Sequence, residues 1–122
     1  MKFLGKILKS QGKYQAAEGH MRHAIDILRE ALGDEHPDLA TAKNNLGEFY
    51  RSIGRLEKAQ VAFEESLAMR LQVLPEDHPE IAVSYNNLAS LLYMLSNFEE
   101  AQAMFVGALK IWEKALGENH PT

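Results

Sequence analysis

Lys43-Asn44-Asn45-Leu46-Gly47-Glu48-Phe49-Tyr50 returns 42 residues later as Tyr85-Asn86-Asn87-Leu88-Ala89-Ser90-Leu91-Leu92, and a shortened form, Leu4-Gly5-Lys6-Ile7-Leu8, precedes it by the same interval. Self-similarity at a fixed period means that one supersecondary unit is being stacked on copies of itself. The small residues say how the unit closes. Leu46-Gly47-x2-Tyr50 is followed by Ala59-x3-Phe63, Leu88-Ala89-x2-Leu92 by Ala101-x3-Phe105, and Leu4-Gly5-x2-Leu8 by Ala17-x3-Met21. Gly or Ala in a first helix lets a second helix approach, Ala in the second does the same in return, and Phe63 or Phe105 fills the space beyond.

Outward from this stretch the helical period holds throughout. Residues 37–53 place Leu39, Ala42, Leu46, Phe49 or Tyr50, and Ile53 on one face, with a turn at Gly54-Arg55. Residues 56–74 do so with Ala59, Phe63, Leu67, Arg70 or Leu71, and Leu74. The next unit repeats the pattern with Ile81, Leu88, Leu92 and Leu95, a turn at Ser96-Asn97, and then Phe98, Ala101, Phe105, Leu109, Trp112 and Leu116. The first unit is expected to hold a short leading helix to about Ser10, a turn at Gly12, and a helix carrying Tyr14, Ala17, Met21, Ile25, Leu28 and Leu32. His36-Pro37, His78-Pro79 and His120-Pro121 punctuate the chain. Pro suits the first position of a helix, where its missing N–H is no loss, and Asp38 and Glu80 follow it where the helix N-terminus favours negative charge. The histidines read as loop residues and Trp112 as a core residue. The expected fold is all-α, an array of three antiparallel helix pairs in one domain spanning residues 1–122, with units of 1–35, 36–77 and 78–119 and the start of a further unit at 120–122.

Composition narrows the function classes. The 122 residues are 46% hydrophobic and 25% charged, ordinary values for a folded domain. There is no cysteine, which excludes disulfides, thiolate nucleophiles and cysteine-ligated metals and fits an intracellular, cytoplasmic location. The net charge of −4 gives no footprint for nucleic acid or an anionic membrane. Charge drifts along the chain, from +1 over residues 1–35 to −2 over 36–77 and −3 over 78–122. The lysines in Met1-Lys2-Phe3-Leu4-Gly5-Lys6-Ile7-Leu8-Lys9 interrupt any signal-peptide core, and no stretch approaches the roughly 18 apolar residues of a membrane span.

A period of 42 with Asn-Asn-Leu in the first helix and Leu-Gly-x-x-His-Pro between units resembles the tetratricopeptide repeats (TPRs) of kinesin light chains over essentially the whole chain. The resemblance implies a right-handed TPR α-solenoid in which first helices line the concave side, and a protein-binding module of the cargo-holding kind. Kinesin light chains join their motor through a separate heptad coiled coil, and no sustained heptad seam occurs in this sequence, so a motor-linked role is not implied.

Catalytic motifs are missing: no phosphate-binding loop followed by Lys-Ser or Lys-Thr and no His-Glu-x-x-His. No enzyme activity and no cofactor are expected. His20 and His23, one turn apart near Glu18, lack an obvious further ligand and read as a solvated face. The asparagines carry the functional expectation. Asn is a poor helix-interior residue because its amide competes for backbone hydrogen bonds, yet Asn44, Asn45, Asn86 and Asn87 sit in mid-helix. Asn44, Glu48, Arg51 and Ser52 fall on one stripe, Asn86, Ser90, Tyr93 and Met94 on its counterpart, and Lys2, Lys6 and Lys9 on that of the first unit. An amide both donates and accepts, so it can pair with a partner's main chain whatever the partner's sequence. The expectation is a groove for an extended peptide, with Asn45 and Asn87 as direct contacts, as the kinesin-light-chain resemblance implies, and a lysine-lined end suited to acidic residues. The alternatives are amides that only bridge adjacent first helices, and a structural repeat that self-associates head-to-tail.

Overall fold

In the computed structural model the backbone of residues 2–119 and the side chains of residues 12–117 are described. All regular structure among them is helical: α1 (Lys2–Leu32), α2 (Pro37–Ser52), α3 (Leu56–Val73), α4 (Pro79–Met94) and α5 (Phe98–Asn119). Each helix packs on its neighbour in sequence, with α2 against α3 and α4 against α5 forming the two tightest hairpins.

The caps follow the repeat. His36 is extended (φ −137°, ψ 139°), and its Nδ1 accepts the Asp38 amide at 3.0 Å; His78 Nδ1 accepts the Glu80 amide at 3.1 Å. These two histidines are therefore N-caps rather than plain loop residues. They do what Ser or Asp does more often, satisfying an N–H that the first turn leaves without a partner. His120 lies outside the described residues. At the other end, Arg55 N–H reaches Tyr50 O at 2.9 Å and Gly54 N–H reaches Arg51 O at 3.1 Å. Asn97 N–H to Leu92 O at 2.8 Å and Ser96 N–H to Tyr93 O at 3.0 Å repeat the pattern. This is a Schellman closure, which places its C′ residue at positive φ: Gly54 at 80° and, without the freedom of glycine, Ser96 at 64°.

The expected turn at Gly12 is absent. Gly12 stands where Gly54 and Ser96 stand in later units, yet α1 runs through it to Leu32. One Gly inside a helix costs only about 1 kcal/mol. The array is accordingly one long helix followed by two pairs.

The core runs through the seams between helices, with Leu39, Tyr50, Ala59, Phe63, Ile81, Leu88, Leu91 and Leu92 nearly or fully buried. Gly47 shows why the packing code needs a small residue: a Cβ there would lie 2.7 Å from the Phe63 ring. At the equivalent place Ala89 is tolerated because Phe105 is turned outward, 39% exposed against 0% for Phe63. Trp112 is also partly exposed rather than in the core, because α5 has no described helix on its outer side.

Candidate functional site

Two parallel rows of side chains follow from the helical period. Thr41, Asn45, Glu48 and Ser52 form the exposed row of α2, and Val83, Asn87, Ser90 and Met94, exposed or half-buried, are their counterparts on α4. The seam between the rows is polar. Asn87 Nδ2 donates to Asn44 Oδ1 at 3.1 Å, and Asn44 is buried (5% exposed). One turn toward the helix N-termini, Arg70 rises from α3 between α2 and α4. Its Nη1 donates to Ser84 Oγ at 2.7 Å and to the Glu80 carbonyl at 3.1 Å, and its Nη2 to Thr41 Oγ1 at 3.3 Å. Burial pushes the Arg70 guanidinium below the usual arginine range, and the charges of Glu80 and Glu48 oppose that shift. Its Nε has no hydrogen-bond partner among the described residues.

The expected site residues divide on this geometry. Asn45 and Glu48 are exposed on α2, and the Asn45 amide makes no hydrogen bond among the described residues. Asn44 departs from expectation: it is spent in the seam and has no face toward a ligand. Asn87 sits on the row but is half-buried and donates inward, while Asn86 and Ser90 are half-buried beside it. Arg51 leaves the row, its guanidinium lying 5.6 Å from the centre of the Phe63 ring. Tyr93 likewise turns to meet Phe98 edge-on at 5.1 Å. Seven residues make 700°, so Arg51 and Tyr93 lie within about 20° of Asn44 and Asn86 and about 120° from Asn45 and Asn87, on the seam side of the helix rather than on the exposed row. The side chains of Lys2, Lys6 and Lys9 lie outside the described residues. Thr41 and Arg70 were not anticipated here. The available signal was the uncertainty between Arg70 and Leu71 on the core face, which the structure resolves with Arg70 4% and Leu71 48% exposed.

A second polar cluster joins α1 to α2. The Tyr50 hydroxyl donates to Glu18 Oε1 at 2.6 Å and accepts from Arg22 Nη2 at 2.7 Å. The Tyr50 hydrogen bond holds the Glu18 carboxyl below the usual range, with Lys58 and Arg22 adding to it against desolvation. Among the described residues no group of three or more His, Asp or Glu is placed to hold a metal, and no helix is long and apolar enough to cross a membrane.

The tetratricopeptide-repeat family model matches residues 1–72, and a second model of the same repeat matches residues 81–122. The chain belongs to the tetratricopeptide-repeat family, whose helix pairs serve as protein-interaction and scaffold modules. Among solved structures it is similar to BtubC (BKLC) from P. vanneervenii, with 26% identity and a TM-score of 0.79 over 96% of this chain and 46% of that one. It is similar in fold to a kinesin-light-chain-like protein with nearly identical TPR-like repeats from Podosopora anserina, with 24% identity and a TM-score of 0.76 over 97% of this chain and 56% of that one. The array is thus an all-α tetratricopeptide-repeat solenoid, and the chain spans about half the length of each of these structures. No curated protein matches it.

Proposed function

We propose that residues 1–122 act as one interaction module that holds an extended peptide along the α2 and α4 rows, in units of 1–35, 36–77 and 78–119. The observation that carries this is Asn45. It is a mid-helix amide whose donors and acceptor have no partner among the described residues, set between Thr41 and Glu48 on an exposed face of α2. Helices pack about 8–10 Å apart and an extended chain rises about 3.3 Å per residue, so side chains on adjacent rows meet every third residue of a bound strand. Asn45 and Asn87 then differ in role: Asn45 pairs with the ligand backbone, and Asn87 keeps the seam closed while offering its second amide proton. The ligand is acidic-flanked, drawn toward the Lys2, Lys6 and Lys9 end, and its affinity weakens with salt.

The test pairs two variants against peptides selected from a random array. Asn45→Ala is expected to weaken binding on the order of tenfold with an unchanged melting temperature, whereas Asn87→Ala lowers the melting temperature by removing a buried hydrogen bond worth about 1 kcal/mol. Full affinity in Asn45→Ala would sink the groove reading.

One observation favours a second reading, head-to-tail association of copies. Phe98, Phe105, Leu109, Trp112 and Leu116 are 38–67% exposed. Their counterparts in the preceding unit, Leu56, Phe63, Leu67, Arg70 and Leu74, are buried or half-buried, and there α4 packs on α3. Sedimentation over a concentration series decides it: a monomer at the highest concentration, with Trp112 still open to iodide quenching, removes this reading.

A further inference from the structure

The crevice between α3 and α5 breaks the repeat, and the way it does so points to a ligand. It encloses about 480 Å³ over a floor of Leu71, Tyr85 and Ile111, with Gly107 at one wall. In the preceding unit the same positions carry paired charges. Lys43 and Glu65 pair at 3.0 Å where Tyr85 and Gly107 stand, and Arg29 pairs with Asp34 at 3.4 Å where Leu71 and Glu76 stand. One clasp is kept: Gln72 donates to Glu35 at 3.0 Å, and Lys114 pairs with Asp77 at 3.2 Å. So the loop is held in both units, while two ion pairs have given way to a ring, a glycine and a leucine, and Ala68 has become Lys110.

Stability does not ask for these exchanges. Gly in a helix interior costs about 1 kcal/mol, and Leu71 is left 48% exposed. What they produce is a surface. A Cβ at 107 would stand 3.2 Å from the Tyr85 ring, so glycine lets the ring lie close against α5 and form a flat apolar floor. Lys110, on the rim, makes no ion pair among the described residues, whereas Lys114 is engaged by Asp77. The volume falls within the roughly 300–1,000 Å³ of small-molecule sites, and Glu76, Asp77, Lys110 and Lys114 line it beside the apolar residues, Asp77 and Lys114 being paired with each other.

We propose that this cleft binds a small apolar monocarboxylate, its ring or branched chain on Leu71, Tyr85 and Ile111 and its carboxylate on Lys110. Glu76, at the mouth, repels a second negative charge and so selects against dianions. The site is independent of the peptide rows: Tyr85 and Asn87 are two positions apart, about 200° round α4.

The experiment is a titration of the full ¹⁵N-labelled chain with 3-phenylpropionate, with 3-phenylpropionamide and phenethylammonium as controls, followed by amide shifts. The expected result is saturable shifts at Leu71, Tyr85, Gly107 and Lys110 with the acid, and binding on the order of tenfold weaker for the neutral amide. Lys110→Ala, which restores the residue found at 68, is expected to weaken the acid by a similar factor. Tyr85→Lys with Gly107→Glu, which transplants the pair already present at 43 and 65, is expected to abolish binding with the helical spectrum retained; should that double variant fail to fold, Lys110→Ala alone decides. Equal affinity for acid and amide, tighter binding of the ammonium, unchanged binding in Lys110→Ala, or no saturable shift through the millimolar range would each overturn the proposal.

Discussion

Ser96 occupies a backbone conformation that a β-carbon resists. Its φ of 64° is the same left-handed turn that Gly54 makes at 80°, and a non-glycine residue there costs roughly 1 kcal/mol. Ser96→Gly is therefore expected to raise the unfolding free energy by about 0.5–1 kcal/mol in denaturant titrations, part of the relief being offset by the entropy glycine adds to the unfolded chain. Gly54→Ser should lower it by a like amount, and a Gly54→Ser variant as stable as the parent would show that the turn carries no strain. Glu18 gives a second prediction at this scale. Its carboxyl is held below the usual value of 4.5, first by the Tyr50 hydroxyl, so the charged form favours the folded state. That contribution is complete above the unfolded value and lost as pH falls through the folded one. Glu18→Gln should accordingly melt below the parent at about pH 7 and converge with it once the pH has fallen through the lowered folded value; a gap that persists at still lower pH would assign the loss to packing instead.

At the scale of the helix, His-Pro is a start signal in which both residues act. His36 and His78 close the first turn through Nδ1, and Pro37 and Pro79 take the position where no N–H is needed. Replacing either histidine with Ala is expected to cost about 1 kcal/mol, with Asn or Ser restoring most of it, as read by chemical denaturation. How legible the helices were in the sequence depended on the signal. The starts of α2 and α4 and the turn between α2 and α3 were readable because Pro, Gly and the 3.6-residue period agree there, whereas α5 runs through Gly117 to Asn119. Gly12 misled because glycine permits a turn without requiring one. The asparagines were visible as an anomaly from sequence, since mid-helix Asn needs compensation, but Asn44 and Asn45 are neighbours pointing about 100° apart. Only the packing of α4 on α2 shows which of the two is covered.

Across the whole molecule, contacts run between successive helices, as expected for a solenoid whose stability sums over neighbouring interfaces. Arg70 is the exception that spans three elements, holding Thr41 of α2 and Ser84 and the Glu80 carbonyl of α4 from its place in α3. Arg70→Ala would leave the buried Ser84 hydroxyl and the Glu80 carbonyl without that donor, and the expected cost is about 1–3 kcal/mol. Hydrogen exchange should show the loss concentrated at the α3–α4 boundary, with the α2/α3 hairpin retaining protection; uniform loss across all helices would mean the array unfolds as one unit. Little of this was legible beforehand, because a single arginine in a leucine register reads from sequence as a slip of the surface stripe.

The Asn44–Asn87 bond also has a mechanical meaning. Because α2 and α4 meet side by side through one amide pair and a shared guanidinium, while α3 and α4 pack on each other beside them, an end-to-end load opens the polar α2–α4 side about the α3–α4 contact. Hydrogen bonds stretch and re-form where a dry core would shear, so the array should lengthen elastically at this seam before any helix unravels. The spacing between the α2 and α4 rows then becomes a function of tension, and a strand fitted at rest would be released under load. Force spectroscopy should register that compliance below the unfolding force, and a rigid response up to unfolding would refute it.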